Sequence, residues 1–474
     1  MAHRRGESRD QVTLFPVLLD ELVEADALVR VIDAWVASLN LSALGFAKSQ
    51  AAAMGRPPYD PGDLLKLYLW GYLSSVRSSR ALERECHRNV ECMWLLGRLA
   101  PDHKTIADFR REHPHALVAV CAAFVQFARR EQLIAGAVVA LDGSKIRAVA
   151  SRKALGTLAD LERERQQLDA HIQHYLKQLD STDAEDATHT PVSGKVTQTL
   201  HRLRQRQAAV QQEVERLSHS ESVLSVLTEP DARAMKSLHG APGYNLQSAV
   251  DSESHLIVHH EVCNDATDLR QLAPMAQGCA HVLASRPVIV ADAGYASGAQ
   301  LQALQEMDIV GYVAEARAVN NQGDGRLYDR TAFRYDPATD TYTCPADRLL
   351  TRKQISRKDH QMIYAARAQD CGACEHKPRC TLAPQRLVSR HLNEAALQAN
   401  ARRLADAPHL MALRRQTVEH PFGTIKHQIL GNARLLVRGF GGAKAELSLA
   451  VMAYNFKRVF NMKGGAWMQQ AMQA

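Results

Sequence analysis

The stretch "AGAVVALDGSKIRAVA", residues 135–150, divides the chain. Before it, residues 12–135 read as helix. "FPVLLDELVEADALVRVIDAWVASL" (15–39), "PYDPGDLLKLYLWGYLSSVRSSRALERECHRNVECMWLL" (58–96) and "PDHKTIADFRREHPHALVAVCAAFVQFARREQL" (101–133) carry apolar residues at helical spacing, and no alternating strand pattern interrupts them. From Val138 a β-branched run leads to Asp142-Gly143, which predicts a strand with a carboxylate at its end.

Two polar-rich helices follow that strand. Leu158, Leu161, Leu168, Ile172, Tyr175 and Leu179 repeat at alternating 3/4 spacing with Arg165 breaking the seam. Val196, Leu200, Leu203, Val210, Val214 and Leu217 do the same, with Gln207 as the break. Joined by "DSTDAEDATHTPVSGK", they predict an antiparallel coiled-coil hairpin over 154–228. "GYNLQSAVDSESHLIVHHEVCN" (243–264) reads as a β-hairpin around Asp-Ser-Glu-Ser. "DATDLRQLAPMAQGCAHVLA" is a helix with Asp265 as N-cap, "PVIVADAGYAS" a buried strand, "SGAQLQALQEM" a helix and "DIVGYVAEA" a last strand.

In that order the first and fourth strands can lie side by side and parallel. Their carboxyl ends, bearing Asp142 and Asp292, then meet where open α/β sheets place ligands. Taken singly, each Asp is more simply a turn residue, with Ser144 ending the first strand. Two carboxylates with little positive charge beside them repel unless a cation bridges them.

A third acid lies in "RRQTVEHPFGTIKHQI" (414–429), an amphipathic helix with five basic or imidazole side chains and one carboxylate, Glu419. Arg415 lies four residues before Glu419 and Lys426 seven after, on one helical face. Three carboxylates suit two Mg²⁺ ions, with Mn²⁺ able to stand in, and the flanking cations suit a DNA phosphate. The plainer alternative is a solvated helix with ordinary i,i+4 pairing.

Composition fits a DNA partner without requiring one. The chain has 474 residues, 46% hydrophobic and 23% charged, as in a globular protein of two or three domains. Its net charge of +7 is uneven: residues 351–474 hold 20 Lys and Arg against 7 Asp and Glu, a net of +13, leaving −6 for the rest. The longest apolar run, at 116–128, is too short to span a bilayer. The N-terminus "MAHRRGESRD" has charges but no apolar core of a secretion signal, so a cytoplasmic location is expected.

Nine cysteines accompany these features. Cys344, Cys371, Cys374 and Cys380, in "YTCPAD" and "CGACEHKPRC", have spacing suited to a structural Zn²⁺, with His376 as a substitute ligand and free thiols or an iron–sulfur cluster as alternatives. Such a metal would stabilise a loop-rich segment, 317–390, poor in apolar residues. Cys86, Cys92, Cys121, Cys263 and Cys279 read as core, and His259 and His260 as surface polarity.

Together these motifs resemble the DDE transposases of bacterial insertion sequences, the branch with an RNase H-like catalytic domain. Their third acid follows a Tyr-x₂-Arg-x₃-Glu-x₆-Lys signature. This chain matches at Arg415, Glu419 and Lys426 but has Ala412 at the tyrosine position. "ALDGSKIRA", "GYNLQSAVD", "VIVADAGYAS" and "TVEHPFGTIK" carry the likeness, and "GRPPYDPGDLLKLYLWGYL" with "HKTIADFRREH" resembles the helical domain preceding such nucleases.

The resemblance implies an α/β RNase H-like mixed sheet with flanking helices over 136–153, 229–316 and 391–462. An all-helical DNA-binding domain over 1–135 would precede it, and a tail over 463–474 would follow. It implies Asp142, Asp292 and Glu419 as ligands of two Mg²⁺ ions, with Arg415 and Lys426 on the DNA. The partners implied are terminal inverted repeats and target DNA, bound by a homodimer. A non-catalytic DNA-binding descendant and an RNase H-like nuclease are the alternatives. "RALERECHRN" and "HKTIADFRREH" are candidates for reading the repeats.

Overall fold

The helix Phe440–Lys463 is apolar on nearly every side, so it can only be buried. In the computed structural model, which describes residues 18–47, 57–185, 194–219, 224–315, 327–357 and 360–473, it lies at the centre. It packs against the helices Pro61–Leu73 and Pro114–Arg130 and against the strand Ile257–Cys263. Phe456 meets Phe124 at 5.4 Å, and Phe124 meets Trp35 edge-on at 5.2 Å. One apolar core therefore runs from the N-terminal helices into the sheet. The linker at 186–193 and the first 17 residues lie outside the described residues.

The N-terminal helices start where side chains can satisfy their free amides. Asp60 accepts from Gly62 with Pro61 at the first position, Ser78 accepts from Ala81, Asn89 from Cys92, and Asp102 from Lys104 and Thr105. Residues 465–473, expected as tail, form a helix (Gly465–Gln473) that buries Met468 and Met472 beside the helix Leu28–Ala37.

The mixed sheet has β1 (Val138–Arg147), β2 (Ala241–Asp251), β3 (Ile257–Cys263), β4 (Val288–Ala291) and β5 (Gly311–Val313). Their order is β3–β2–β1–β4–β5, and the short strand Arg233–Met235 also pairs with β2. β1 runs antiparallel to β2 and parallel to β4, and β4 runs parallel to β5. The β2–β3 turn is fixed by Asp251, whose Oδ2 accepts from the Ser254 amide at 2.9 Å and hydroxyl at 2.7 Å. The amide of Asn455 bonds both polar groups of Ile257, at 2.9 and 2.8 Å, and so covers the start of the β3 edge.

Several expectations need correction. β1 does not stop at Asp142: it continues to Arg147 because β2 pairs with it along that length, and Ser144 is a buried strand residue. The helix after β3 begins at Leu272, not at Asp265, whose carboxylate instead accepts from Gln271. The segment expected to be loop-rich and short of apolar residues holds a five-stranded antiparallel sheet: Arg334–Asp336, Thr341–Thr343, Leu349–Ser356, Gln361–Ala365 and Leu387–His391. Phe333, Tyr342, Leu350, Met362, Tyr364 and Val388 form its core. Its strands are short and one-faced, so the apolar alternation is thin. His260 is not surface polarity either; it is buried, bonds the Ser448 hydroxyl at 2.9 Å, and burial lowers its pKa to about 3.

The hairpin helices Leu158–Glu185 and Gly194–Ser218 pack through Leu161, Leu168, Val210, Val214 and Leu217. The seam-breaking polar residues pair across it, Arg165 with Gln211 at 3.1 Å and Gln207 with Asp169.

A buried ion pair ties the N-terminal helices to the rest. Arg77 Nη1 lies 2.8 Å from Glu446 Oε1, and Arg77 Nη2 donates to the Leu430 carbonyl at 2.6 Å. Glu446 Oε2 accepts from the Leu436 and Val437 amides. Arg77→Ala should cost about 3–5 kcal/mol, because it leaves a buried carboxylate uncompensated. Arg77→Met with Glu446→Leu should cost less than Arg77→Ala alone. Urea midpoints of the three proteins check both statements.

Candidate active site

Strand alternation puts Ala140 and Asp142 on one face of β1 and Val290 on the matching face of β4, from which Asp292 follows two residues on. The register pairs Ala140 with Val290, so the two aspartates come level at the sheet edge. The helix His409–Gly423 covers that face: Leu410 and Val418 pack on Ala140 and Val290.

Leu410, Arg414 and Val418 are spaced i, i+4, i+8 and so form one stripe facing the sheet. Arg414 therefore points at the aspartates. Its Nη2 lies 2.9 Å from Asp142 Oδ1 and 3.4 Å from Asp292 Oδ2, and its Nε donates to the Leu141 carbonyl at 3.3 Å. Yet Nη2, buried, makes no hydrogen bond of good geometry. Ion-pair distance without alignment means that the carboxylates hold it by charge more than by direction. Each aspartate also accepts a backbone amide, Gly143 N on Asp142 and Gly294 N on Asp292, both at 2.9 Å.

Glu419 and Arg415 fall on the next stripe and are exposed, so Glu419 does not join the two aspartates. Among the described residues no group of three or more His, Cys, Asp or Glu is arranged to hold a metal ion. Lys426 does not follow Glu419 by simple helical phase, because Thr424–Ile429 is a π-helix that widens the turn, just after Pro421. It is half-buried near Asp142: burial lowers its pKa, Asp142 raises it and Lys145 lowers it further.

The sequence reading missed Arg414 and a polar set behind the aspartates. Asp268 approaches from the opposite face across Gly143. Its Oδ1 accepts from Lys145 Nζ at 2.7 Å, Asn245 Nδ2 at 2.8 Å and Gln247 Nε2 at 2.6 Å, and Tyr295 donates to Gln247 Oε1. A Cβ at Gly143 would stand 2.4 Å from both Asp268 Oδ1 and Gln247 Nε2, and only glycine leaves room for this pinned pair. Asn245 and Gln247, polar residues within a wholly buried strand, were the available signal.

The four cysteines of the insertion line one small cavity with Tyr328, His376 and Arg386. The Arg348 amide donates to Cys344 Sγ at 3.4 Å, and burial raises the Cys380 thiol's pKa, with smaller contributions from the neighbouring thiols. As placed, they are a shared lining and not a closed ligand set.

Two family models match the chain. One, described as Transposase domain (DUF772), covers residues 17–112, and the other, described as Transposase DDE domain, covers 186–456, more than half of the chain. No curated protein and no solved structure matches it. No helix of the described residues is long and apolar enough to cross a membrane.

Burial raises the Asp142 pKa to about 6; the attraction of Arg414 opposes this and the charges of Asp292 and Asp268 add to it. The folded chain thus binds this proton more tightly than the unfolded chain, whose value is about 4. The associated stability is complete below about pH 4 and is lost as pH rises through about 6. In metal-free buffer Asp142→Asn should therefore be more stable than wild type at neutral pH by about 3 kcal/mol. The difference should vanish below about pH 4, as followed by urea midpoints across that range.

Proposed function

The chain belongs to the DDE transposase family, and from that premise we propose that it cuts and joins DNA at this sheet edge. The substrate is the pair of terminal inverted repeats of its own element. Water forms a new P–O bond as the P–O3′ bond breaks. The freed 3′-hydroxyl then forms a P–O bond to a phosphodiester of target DNA as that phosphodiester's own P–O3′ bond breaks, leaving a 3′-hydroxyl on the target strand. The observation that carries the proposal is the level placement of Asp142 and Asp292 on neighbouring parallel strands, with a positive charge between them.

The site fits a divalent cation on its own terms. Two carboxylate oxygens converge on one buried nitrogen that neither binds directionally, so a cation already stands where an ion would sit. Asp142, Asp292 and Glu419 are the proposed ligands of two Mg²⁺ ions, for which Mn²⁺ can substitute. When bound, the pair activates the attacking oxygen and neutralises charge on the leaving one. Asp142 and Asp292 need little movement for this, whereas Glu419 must turn inward from its exposed stripe. Lys426 and Arg415 take the DNA backbone. The strand order β3–β2–β1–β4–β5, with β1, β4 and β5 parallel, supports an RNase H-like domain, and the synapsis of two ends calls for a homodimer on DNA.

The outward Glu419 favours one competing view, a DNA-binding descendant without catalysis. Cleavage of DNA carrying the element's ends, with Mg²⁺, separates the two. Asp142→Ala, Asp292→Ala and Glu419→Ala should each lower cutting at least a hundredfold while keeping DNA binding. Equal cutting by wild type and all three variants would remove the catalytic assignment.

For the insertion we propose that a structural Zn²⁺ draws Cys344, Cys371, Cys374 and Cys380 together around the cavity they line. Metal analysis should find about one zinc per chain, lost in Cys374→Ser. A folded, metal-free chain would end this proposal.

A further inference from the structure

Arg414 raises a question that the acidic trio does not. A basic side chain sits midway along a stripe otherwise made of Leu410 and Val418, facing a sheet. Its side chain is only 11% exposed, and among the described residues it is the one cation at ion-pair distance from Asp142 or Asp292. Asp268, the third charge behind them, is already matched by Lys145. Lys426 is nearby but forms no ion pair with either aspartate. Arg414 is therefore, among the described residues, the one cation in direct ion-pair contact with the two acids, with Lys426 adding a weaker attraction to Asp142.

The manner of binding matters as much as the distance. Nη2 satisfies neither carboxylate with an aligned hydrogen bond, whereas Nε is bonded to the Leu141 carbonyl. The side chain is thus anchored at one end and held loosely at the other. A small divalent ion carries more charge and would bind both carboxylates directly.

We propose that Arg414 is a resident counter-ion of the aspartate pair, occupying the place of the divalent ion, so that guanidinium and metal exclude each other. This rests on the assignment of Asp142 and Asp292 as metal ligands. Before an ion enters, Arg414 keeps the two strand ends together. On entry it must leave, and its helix keeps the released guanidinium at the rim, where a DNA phosphate can pair with it. DNA and metal then favour each other's binding, because the phosphate stabilises the form in which the carboxylates are free. In the absence of DNA the apparent metal affinity is reduced by the fraction of chains in which Arg414 is out of the way.

The test is Mn²⁺ binding to the full chain without DNA, followed by loss of the free-ion electron paramagnetic resonance signal. Arg414→Gln should bind Mn²⁺ about tenfold more tightly than wild type or better, and Mn²⁺ should raise its melting temperature by more. Arg414→Lys, which keeps the charge, should stay within about threefold of wild type. Should Arg414→Gln fail to fold without metal, Mn²⁺ must restore its folding if the proposal holds; no restoration overturns it. Unchanged or weaker Mn²⁺ binding by Arg414→Gln, with binding abolished by Asp142→Asn, overturns the counter-ion while leaving the metal site standing. If wild type binds no Mn²⁺ and neither Asp142→Asn nor Arg414→Gln alters that, the metal assignment has failed, and the counter-ion with it.

Discussion

Two carboxylates held level at a half-buried sheet edge cannot be left to themselves. Asp142 and Asp292 are fixed by backbone: β1 and β4 pair in parallel, and the register that buries Ala140 beside Val290 brings the acids together. The charge of Asp292 raises the Asp142 pKa, so the two acids repel and a cation between them stabilises their arrangement. Arg414 supplies that cation from the helix His409–Gly423, which also closes the apolar face beneath. One helix thus buries a sheet face and sets a cation against the acids, while Glu419 stands exposed on its next stripe.

The position of that helix depends on elements far away in sequence. Its continuation, the π-helix Thr424–Ile429, runs into a segment whose carbonyls are held from the N-terminal helices: Ser75 donates to the Gln428 carbonyl at 2.7 Å and Arg77 to that of Leu430 at 2.6 Å. Arg147, at the end of β1, exchanges backbone bonds with Ala433 and Leu435 at 2.9 Å each. The N-terminal helices are therefore a structural support of the site as well as a candidate DNA-reading surface.

What the sequence disclosed follows from where the physical signal is strong. The parallel pairing of β1 with β4 was legible because "VVALD" and "VIVAD" are β-branched runs too apolar for anything but buried strands. The hairpin was legible because Leu161, Leu168, Val210 and Val214 keep a regular apolar step. Asp268 carries no signal of its own in the sequence, because only the tertiary fold brings Lys145, Asn245 and Gln247 around it. Arg414 was overshadowed by Arg415, which fits a familiar spacing. The apolar residues Leu410 and Val418, four positions to either side, are the sequence signal that sets Arg414 on the inner stripe.

The basic surplus of the last quarter also means less than a count suggests. A net of +13 over 351–474 invites the picture of a positive surface. Much of it is spent inward, because carbonyls at strand ends and loops need donors. Arg386 bonds the carbonyls of Cys380 and Tyr328, Arg403 that of Gly311, Arg434 those of Ala148 and Val149, and Arg458 that of Ser254. Arg414 serves the aspartates. What remains exposed for a polyanion includes Arg415 beside the site, Arg438, and Arg352 and Lys353 on the insertion strand Leu349–Ser356.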